Sequence, residues 1–239
     1  MIILIKKMMK KIIFITVLLL SSNSWSQVRN GQGTSSMGDG LFMSQGDIKG
    51  SPFFLEDWTK GTVYTNDGEF KDNQELVYNL FNNTLFLKIG SGVNDHMALT
   101  TKDISKFILY DNKGTKSYFF LKIESEKFNE NKKNNFFYEA VDPRSDKVII
   151  EHSKIFSDPN SSGWQSSRYN NKAGEFKDLT KVYVLNKNLK YEKVNPKENA
   201  ILKLFKENKK QIEEFIDLKG IKIKEASDLV AIVEYYHSL

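Results

Sequence analysis

The chain has 239 residues, a formal net charge of +5 and no cysteine. This length suits one large domain, or one domain with an appendage. The absence of cysteine excludes disulfides, zinc sites of the cysteine type and a lipid-modified N-terminal cysteine. Four lysines and no acidic residue lie in residues 1–26, so the remaining residues carry 31 basic against 30 acidic side chains. A nearly neutral chain gives no reason to expect nucleic acid as a partner.

Residues 1–26 have the order of a secretion signal. Basic residues precede the apolar run Ile12–Leu20, and the small residues Ser24 and Ser26 follow it. The apolar run has nine residues, whereas a membrane-spanning helix needs about 20. We therefore predict a signal peptide that is cleaved before Gln27, with no integral membrane segment after cleavage. The mature protein is then expected to be periplasmic or extracellular.

The start codon is left open by the same pattern. A complete signal, with basic residues followed by an apolar run, also begins at Met8 or at Met9. Translation from Met1, from Met8 or from Met9 is therefore compatible with the sequence.

Residues 27–50 and 51–194 differ in character. The first stretch is rich in Gly, Ser, Asp and Gln, which predicts a flexible N-terminal segment. The second alternates short β-branched and aromatic runs with Asn, Asp and Gly turns, which predicts a β-rich domain. The expected strands cover residues 61–64, 75–80, 84–89, 104–110, 117–123, 136–141, 147–152, 181–185 and 189–194. Tight turns between such runs favour antiparallel pairing.

Residues 195–239 are predicted to form a C-terminal helical segment. Asn195 is expected to cap the first helix, and Gly220 to end the helical run. Apolar residues recur at helical spacing on one side, at positions 201, 204, 205, 212, 215, 216, 226, 229, 230, 233 and 236. The fold class expected is therefore mainly β (α+β): an antiparallel meander sheet, sandwich- or barrel-like, with two to three C-terminal amphipathic helices packed on it.

No sequence motif for catalysis, metal binding or cofactor binding stands out. The three histidines, His96, His152 and His237, lack the spacing of a zinc site, and no nucleophile elbow or phosphate-binding glycine loop is present. We therefore predict no catalytic residue, no metal site and no cofactor, and His152 is expected to be a surface or hydrogen-bonded core residue. A pair of carboxylates for glycoside hydrolysis is defined by spatial separation, so the sequence leaves it open.

The stretch Ser157–Gly174 holds the candidate ligand-binding residues. It is a long polar stretch that contains Trp164 and Tyr169, whose rings could stack on a glycan or a peptide. Arg168 and Asn160 could supply hydrogen bonds beside them. The alternative is a surface loop that its aromatic residues anchor to the domain.

The stretch Gly50–Val63, which reads Gly-Ser-Pro-Phe-Phe at its start, resembles the opening of a group of uncharacterised exported bacterial proteins. Tyr78-Asn79 before a turn and the Lys-rich tail Lys197–Leu239 are similar to that group as well. The resemblance implies a single exported β-rich domain with a helical tail. It implies no activity, because none is associated with the group.

Three functional hypotheses arise from the sequence. The absence of a catalytic motif favours a non-catalytic envelope protein that binds a ligand or a partner, such as an envelope protein, a peptide or a glycan. An exported hydrolase with a carboxylate-based active site is the alternative. A structural or assembly factor that docks through its C-terminal helices is the third.

Export can be tested directly. Residues 1–30, fused to a reporter that is active only outside the cytoplasm, should give reporter activity, because they contain the whole predicted signal. Mass spectrometry of the full-length protein recovered from cells should place the mature N-terminus near Gln27. Recovery of a chain that still carries residues 1–20 would refute cleavage.

Overall fold

The computed structural model describes residues 48–92, 94–132, 136–157 and 174–239. Within these ranges the chain forms one antiparallel sheet of ten strands, followed by helices. The strands are β1 (Thr59–Thr65), β2 (Phe70–Asn79), β3 (Thr84–Lys88), β4 (His96–Leu99), β5 (Ile104–Tyr110), β6 (Ser117–Ile123), β7 (Phe136–Asp142), β8 (Ser145–Ser157), β9 (Glu175–Leu185) and β10 (Tyr191–Val194). The helices are α1 (Glu198–Leu204), α2 (Lys209–Lys219) and α3 (Leu229–Ser238).

The sheet consists of two meanders joined side by side. Its strand order is β10-β9-β8-β7-β6-β5-β1-β2-β3-β4, so β5 pairs with β1 and not with β4, which precedes it in the chain. Strands β4 and β10 are the two edges, and the sheet is not closed into a barrel. The predicted mainly β fold with an antiparallel meander and C-terminal helices is confirmed.

A short connection forces one end of the sheet to curl. Strands β4 and β5 are four positions apart, which is roughly 19 Å across a flat sheet at about 4.8 Å per strand. Only Thr100–Asp103 connects them, and these residues form a turn in which the Asp103 N–H donates to the Thr100 carbonyl at 2.9 Å. A turn of this size cannot cross that width, so strands β1–β4 bend back towards β5. The buried residues at this end form one aromatic and aliphatic cluster, which includes Tyr78, Phe107 and Phe120.

The other end of the sheet is buried on both faces. Val148 and Val184 point to the face that the C-terminal helices cover, which we call the helix face. Ile149 and Tyr183, which lie directly opposite each other on β8 and β9, point to the other face, which we call the tyrosine face. Successive side chains of a strand alternate between faces, so β8 and β9 carry near-continuous apolar runs at this point.

The C-terminal helices pack on the helix face through the predicted stripe. Phe205, Ile216 and Val233 are buried, and two stacked ring pairs join the helices: Phe205 with Tyr236 at 3.8 Å, and Phe215 with Tyr235 at 4.2 Å between centroids. The amphipathic packing expected from the sequence is therefore confirmed. Lys147 and Glu234 form an ion pair that also links β8 to α3.

The start of the helical segment differs from the prediction. Helix α1 begins at Glu198 with Lys197 as its N-cap, so the expected cap at Asn195 is wrong. Asn195 takes part in a tight turn, because its carbonyl accepts a hydrogen bond from the Lys197 N–H at 2.7 Å. A 3-10 turn at Lys206–Asn208 separates α1 from α2. Gly220 ends α2 with φ of 61°, as expected for a left-handed C-terminal cap.

The aromatic residues before β1 belong to the core. Phe53 is buried and pairs with Asn79 at the end of β2, and the Phe54 ring packs against Tyr118 and Phe120. None of the helices in the described ranges is long and apolar enough to cross a membrane.

Helix α2 offers a matched pair of variants for its packing. Ile216→Ala removes a side chain that is 3% exposed, and Leu218→Ala removes one that is 82% exposed on the same helix. We expect the first to lower the free energy of unfolding by about 2–5 kcal/mol and the second to change it by less than about 0.5 kcal/mol. Urea denaturation measures both. Equal effects of the two changes would show that α2 does not pack on the sheet as described.

Candidate functional site

Residues 124–132, which follow β6, fold over the tyrosine face. A 3-10 turn at Ser125–Lys127 starts this covering segment. The segment then runs beside β10, where the Asn129 N–H donates to the Tyr191 carbonyl at 3.2 Å. This pairing places the buried Phe128 ring against Tyr138 and Tyr183, at centroid distances of 4.9 and 5.1 Å.

A cluster of charged groups lies beneath the covering segment. Lys132 is at its centre, with 12% of its side chain exposed. Its Nζ donates to the Tyr183 hydroxyl at 2.8 Å, forms a close ion pair with Glu151, and lies 3.2 Å from Glu130. Lys181 approaches the other oxygen of Glu151, at 2.7 Å. The two lysines therefore balance the two carboxylates.

The Lys132 ammonium is also in contact with three aromatic rings. Its Nζ lies 4.8 Å from the Tyr183 centroid, 5.1 Å from that of Phe128 and 5.8 Å from that of Tyr138. Each distance is within the range of cation–π attraction. We call this arrangement the Lys132 site; it consists of Lys132, Phe128, Glu130, Tyr138, Glu151 and Tyr183.

The electrostatics of the Lys132 site keep both carboxyl groups ionised. Burial by itself raises the pKa of Glu151, but the hydrogen bonds and charges of Lys132 and Lys181 outweigh burial, so the pKa is lowered overall. The hydrogen bond from Tyr183 is the main cause of the lowered pKa of Glu130. Burial, together with these two carboxylates, raises the pKa of Tyr183, so its hydroxyl keeps its proton.

These pKa directions bear on catalysis. Glycoside hydrolysis by two carboxyl groups needs one of them protonated as the general acid, which requires a raised pKa. Glu130 and Glu151 meet at the Tyr183 hydroxyl, yet the pKa of each is lowered. The pair therefore lacks the protonated member that this chemistry requires, and its charges are arranged to hold a cation.

Tyr138 contributes an unusual group to the Lys132 site. The residue is fully buried, and its hydroxyl has no hydrogen-bond partner within the described part of the chain. Burial and the charges of Glu151 and Glu130 raise its pKa. An unpaired buried hydroxyl is costly, so such groups are often found where a ligand or a solvent molecule is accommodated.

His152 and Glu139 form a second polar pair, on the helix face. Their Nε2 and Oε2 atoms are 2.6 Å apart. The His152 ring packs against Phe54 at 5.0 Å and Phe120 at 6.2 Å between centroids. His152 is therefore a hydrogen-bonded residue at the edge of the core, as its sequence context predicts.

An open cleft of about 500 Å³ lies between the β7–β8 turn and α3. Its charged groups all have hydrogen-bond or ion-pair partners. Arg144 forms a bidentate pair with Asp142, and Glu234 accepts hydrogen bonds from Ser145 and Lys147. The contacts of Glu234 hold α3 against the turn, so the cleft is explained by packing. Over the described ranges, no three His, Asp or Glu side chains are grouped as a metal site.

The ligand-binding residues expected from the sequence, Asn160, Trp164, Arg168 and Tyr169, lie outside the described residues, as does the predicted signal peptide. The Lys132 site was not predicted. Two features of the sequence pointed to the site: the charged Glu151 directly after the apolar run Val148–Ile150, and Tyr183 between two valines.

Comparison with protein-family models, with curated proteins and with solved structures found no match.

Glu151→Gln tests the ion pairs of the Lys132 site. A carboxyl whose pKa is lowered by folding stabilises the protein above its unfolded pKa, and this contribution is lost as the pH falls through the folded pKa. We expect the variant to unfold more easily at neutral pH by about 3 kcal/mol, because two cations lose their partner. Between neutral pH and about pH 3 it should also lose less stability than the wild type.

Thermal and urea denaturation across this pH range provide the measurement. Glu213→Gln, which changes an exposed carboxyl on α2, is the control and should follow the wild type at every pH. Identical pH profiles for Glu151→Gln and the wild type would contradict an ionised Glu151 in the folded state.

Proposed function

We propose that the protein is an exported, non-catalytic binding protein and that it contacts its ligand at the Lys132 site. The signal-like residues 1–26 support export, and the mature protein is then periplasmic or extracellular. Its partner is a component of the cell envelope, such as a peptide or a glycan fragment.

One observation carries the choice of site. Lys132 Nζ lies within 6 Å of the centroids of three aromatic rings and close to the oxygens of two carboxylates and a hydroxyl. Binding sites commonly combine apolar walls with a few converging polar groups, and this site has that composition. Glu130, which has 44% of its side chain exposed, lies on the solvent side of the buried groups.

The alternative of an exported hydrolase receives less support. A general acid has to release a proton at the working pH, which requires a pKa near that pH. Both carboxyl groups of the Lys132 site have lowered pKa values, and lysines neutralise their charge. This electrostatic arrangement favours the binding of a cation over proton transfer.

An enzymatic digest of bacterial cell walls, filtered to keep small fragments, is the probe for this proposal. We expect the digest to raise the melting temperature of the wild-type protein, because a ligand that binds only the folded state stabilises it. Glu130→Gln should reduce the shift, and Glu213→Gln should not. Mass spectrometry of the digest after incubation should show no component consumed.

Two results would contradict the proposal. Absence of any shift in melting temperature would exclude wall fragments as ligands of this protein. Consumption of a component by the wild type, but not by Glu151→Gln, would show that the protein is a hydrolase.

A further inference from the structure

The acceptors around Lys132 match the donors of one primary ammonium group. An ammonium of the type R–NH3+ has three N–H donors and no acceptor. The Lys132 site presents three acceptors to it: a carboxylate oxygen of Glu130, a carboxylate oxygen of Glu151 and the hydroxyl oxygen of Tyr183. The centroids of three rings lie 4.8–5.8 Å from the ammonium nitrogen, and Tyr183 meets it with its hydroxyl edge. The site is therefore complementary to a primary ammonium in both hydrogen bonding and charge.

The sheet holds most of this site independently of Lys132. Tyr138, Glu151 and Tyr183 lie on β7, β8 and β9, which are fixed by antiparallel pairing on both sides. Glu151 also keeps its ion pair with Lys181, at 2.7 Å. Lys132, in contrast, belongs to the covering segment that follows β6. Withdrawal of its side chain would leave two of the three acceptors, Glu151 and Tyr183, and two of the rings fixed on strands.

We propose that the Lys132 site binds the primary alkylammonium group of a ligand, and that the Lys132 side chain occupies the site in the absence of that ligand. This inference rests on the proposed function and names the class of ligand. The ammonium comes from a free alkylamine or from the lysine side chain of a peptide. The Tyr138 hydroxyl, which has no hydrogen-bond partner among the described residues, gives a ligand with an additional acceptor or donor one more group of the site to contact.

Occupation of the site by the Lys132 side chain limits the apparent affinity for such a ligand. The Lys132 ammonium is tethered to the site, so a free amine has to compete with a high effective concentration. The apparent association constant is the intrinsic one multiplied by the fraction of molecules in which the site is vacant. Removal of the Lys132 side chain should therefore raise the affinity for an amine, whereas removal of a residue that contacts the ligand would lower it.

Chemical rescue of Lys132→Ala tests this inference. The variant lacks the atoms from Cγ to Nζ, which n-propylammonium replaces. We expect the variant to melt at a lower temperature than the wild type, and n-propylammonium chloride to restore several degrees in a saturable manner. Sodium chloride at the same concentration and propan-1-ol should restore none of it, because each lacks either the alkyl chain or the charge.

Three further measurements separate the ammonium site from a general effect of amines. Lys132→Met fills the same space without charge, so n-propylammonium should not stabilise it. Lys203→Ala removes an exposed lysine on α1, away from the Lys132 site, so n-propylammonium should not stabilise it. Tetramethylammonium should not rescue Lys132→Ala, since it has no N–H to donate to the three acceptors.

A fourth measurement identifies the source of the ammonium. A short blocked peptide with one central lysine should rescue Lys132→Ala if the natural ligand is a protein or peptide. Rescue by n-propylammonium alone indicates a small free amine. Either result supports the site.

Absence of rescue by both compounds overturns the inference. If Lys132→Ala does not fold, acetylation of wild-type lysines, followed by peptide mass spectrometry, replaces the rescue experiment. Because n-propylamine also consumes the reagent, the rate at Lys132 is compared with that at the exposed Lys203 in the same sample. The ratio should rise when n-propylammonium is present, and an unchanged ratio refutes displacement. A wall digest that stabilises the wild type without any rescue by amines would leave the proposed function standing and remove only the ammonium ligand.

Discussion

The burial of β8 and β9 on both faces is the constraint on which the rest of the structure depends. Val148 and Val184 need a cover on the helix face, and Ile149 and Tyr183 need one on the tyrosine face. The chain supplies the first cover with the C-terminal helices and the second with residues 124–132. Apolar burial stabilises the folded state by about 25 cal/mol for each Å² removed from water. Removal of either cover would expose a large part of the core and would therefore lower the stability of the fold.

On the tyrosine face, a buried polar group also has to be given a hydrogen-bond partner. Tyr183 is fully buried, but its hydroxyl needs a partner, because an unpaired polar group in the interior is costly. Glu151, two residues from Ile149, points to the same face and brings a negative charge. Lys132 and Lys181 then neutralise that charge. One buried tyrosine thus leads to a network in which every charged member is paired, while Tyr138 remains without a hydrogen bond in the described part of the chain.

Sequence patterns predicted the strands whose alternation is apolar and missed the parts of strands that are polar. Strand β5 was predicted with its observed bounds, because Phe107 and Leu109 alternate with less buried residues along it. Strand β9 was predicted only from Lys181, yet it begins at Glu175. Its first half is mostly exposed and polar, and it is held as a strand by pairing with β8, which no local pattern reveals.

Local sequence patterns also could not predict the pairing of β5 with β1. Consecutive runs with short turns suggest that each strand pairs with the next one, and this rule holds throughout the sheet except between β4 and β5. The exception depends on how β1–β4 curl, which is a property of the packed core. His96–Leu99, which forms β4, escaped prediction because three of its four side chains are partly or fully exposed.

The candidate site was hidden for a related reason. Lys132, Glu151 and Tyr183 are far apart in sequence, and each occurs in a segment that looks ordinary by itself. They meet because β8 and β9 pair in a register that sets Glu151 opposite Lys181, and because the covering segment returns past β10. A sequence can reveal that a charge interrupts an apolar strand, but it cannot reveal which residues neutralise that charge.

The division of the site between paired strands and a connecting segment explains why the Lys132 site is suited to exchange its occupant. Groups on paired strands keep their positions at little cost, since the backbone hydrogen bonds that fix them do not involve the ligand. A lysine on a connecting segment can leave without breaking a strand. Preorganised acceptors lower the cost of binding, because the protein does not have to order them when the ligand arrives. The sheet thus provides the rigid part of the site, and the Lys132 side chain is the part that a ligand can replace.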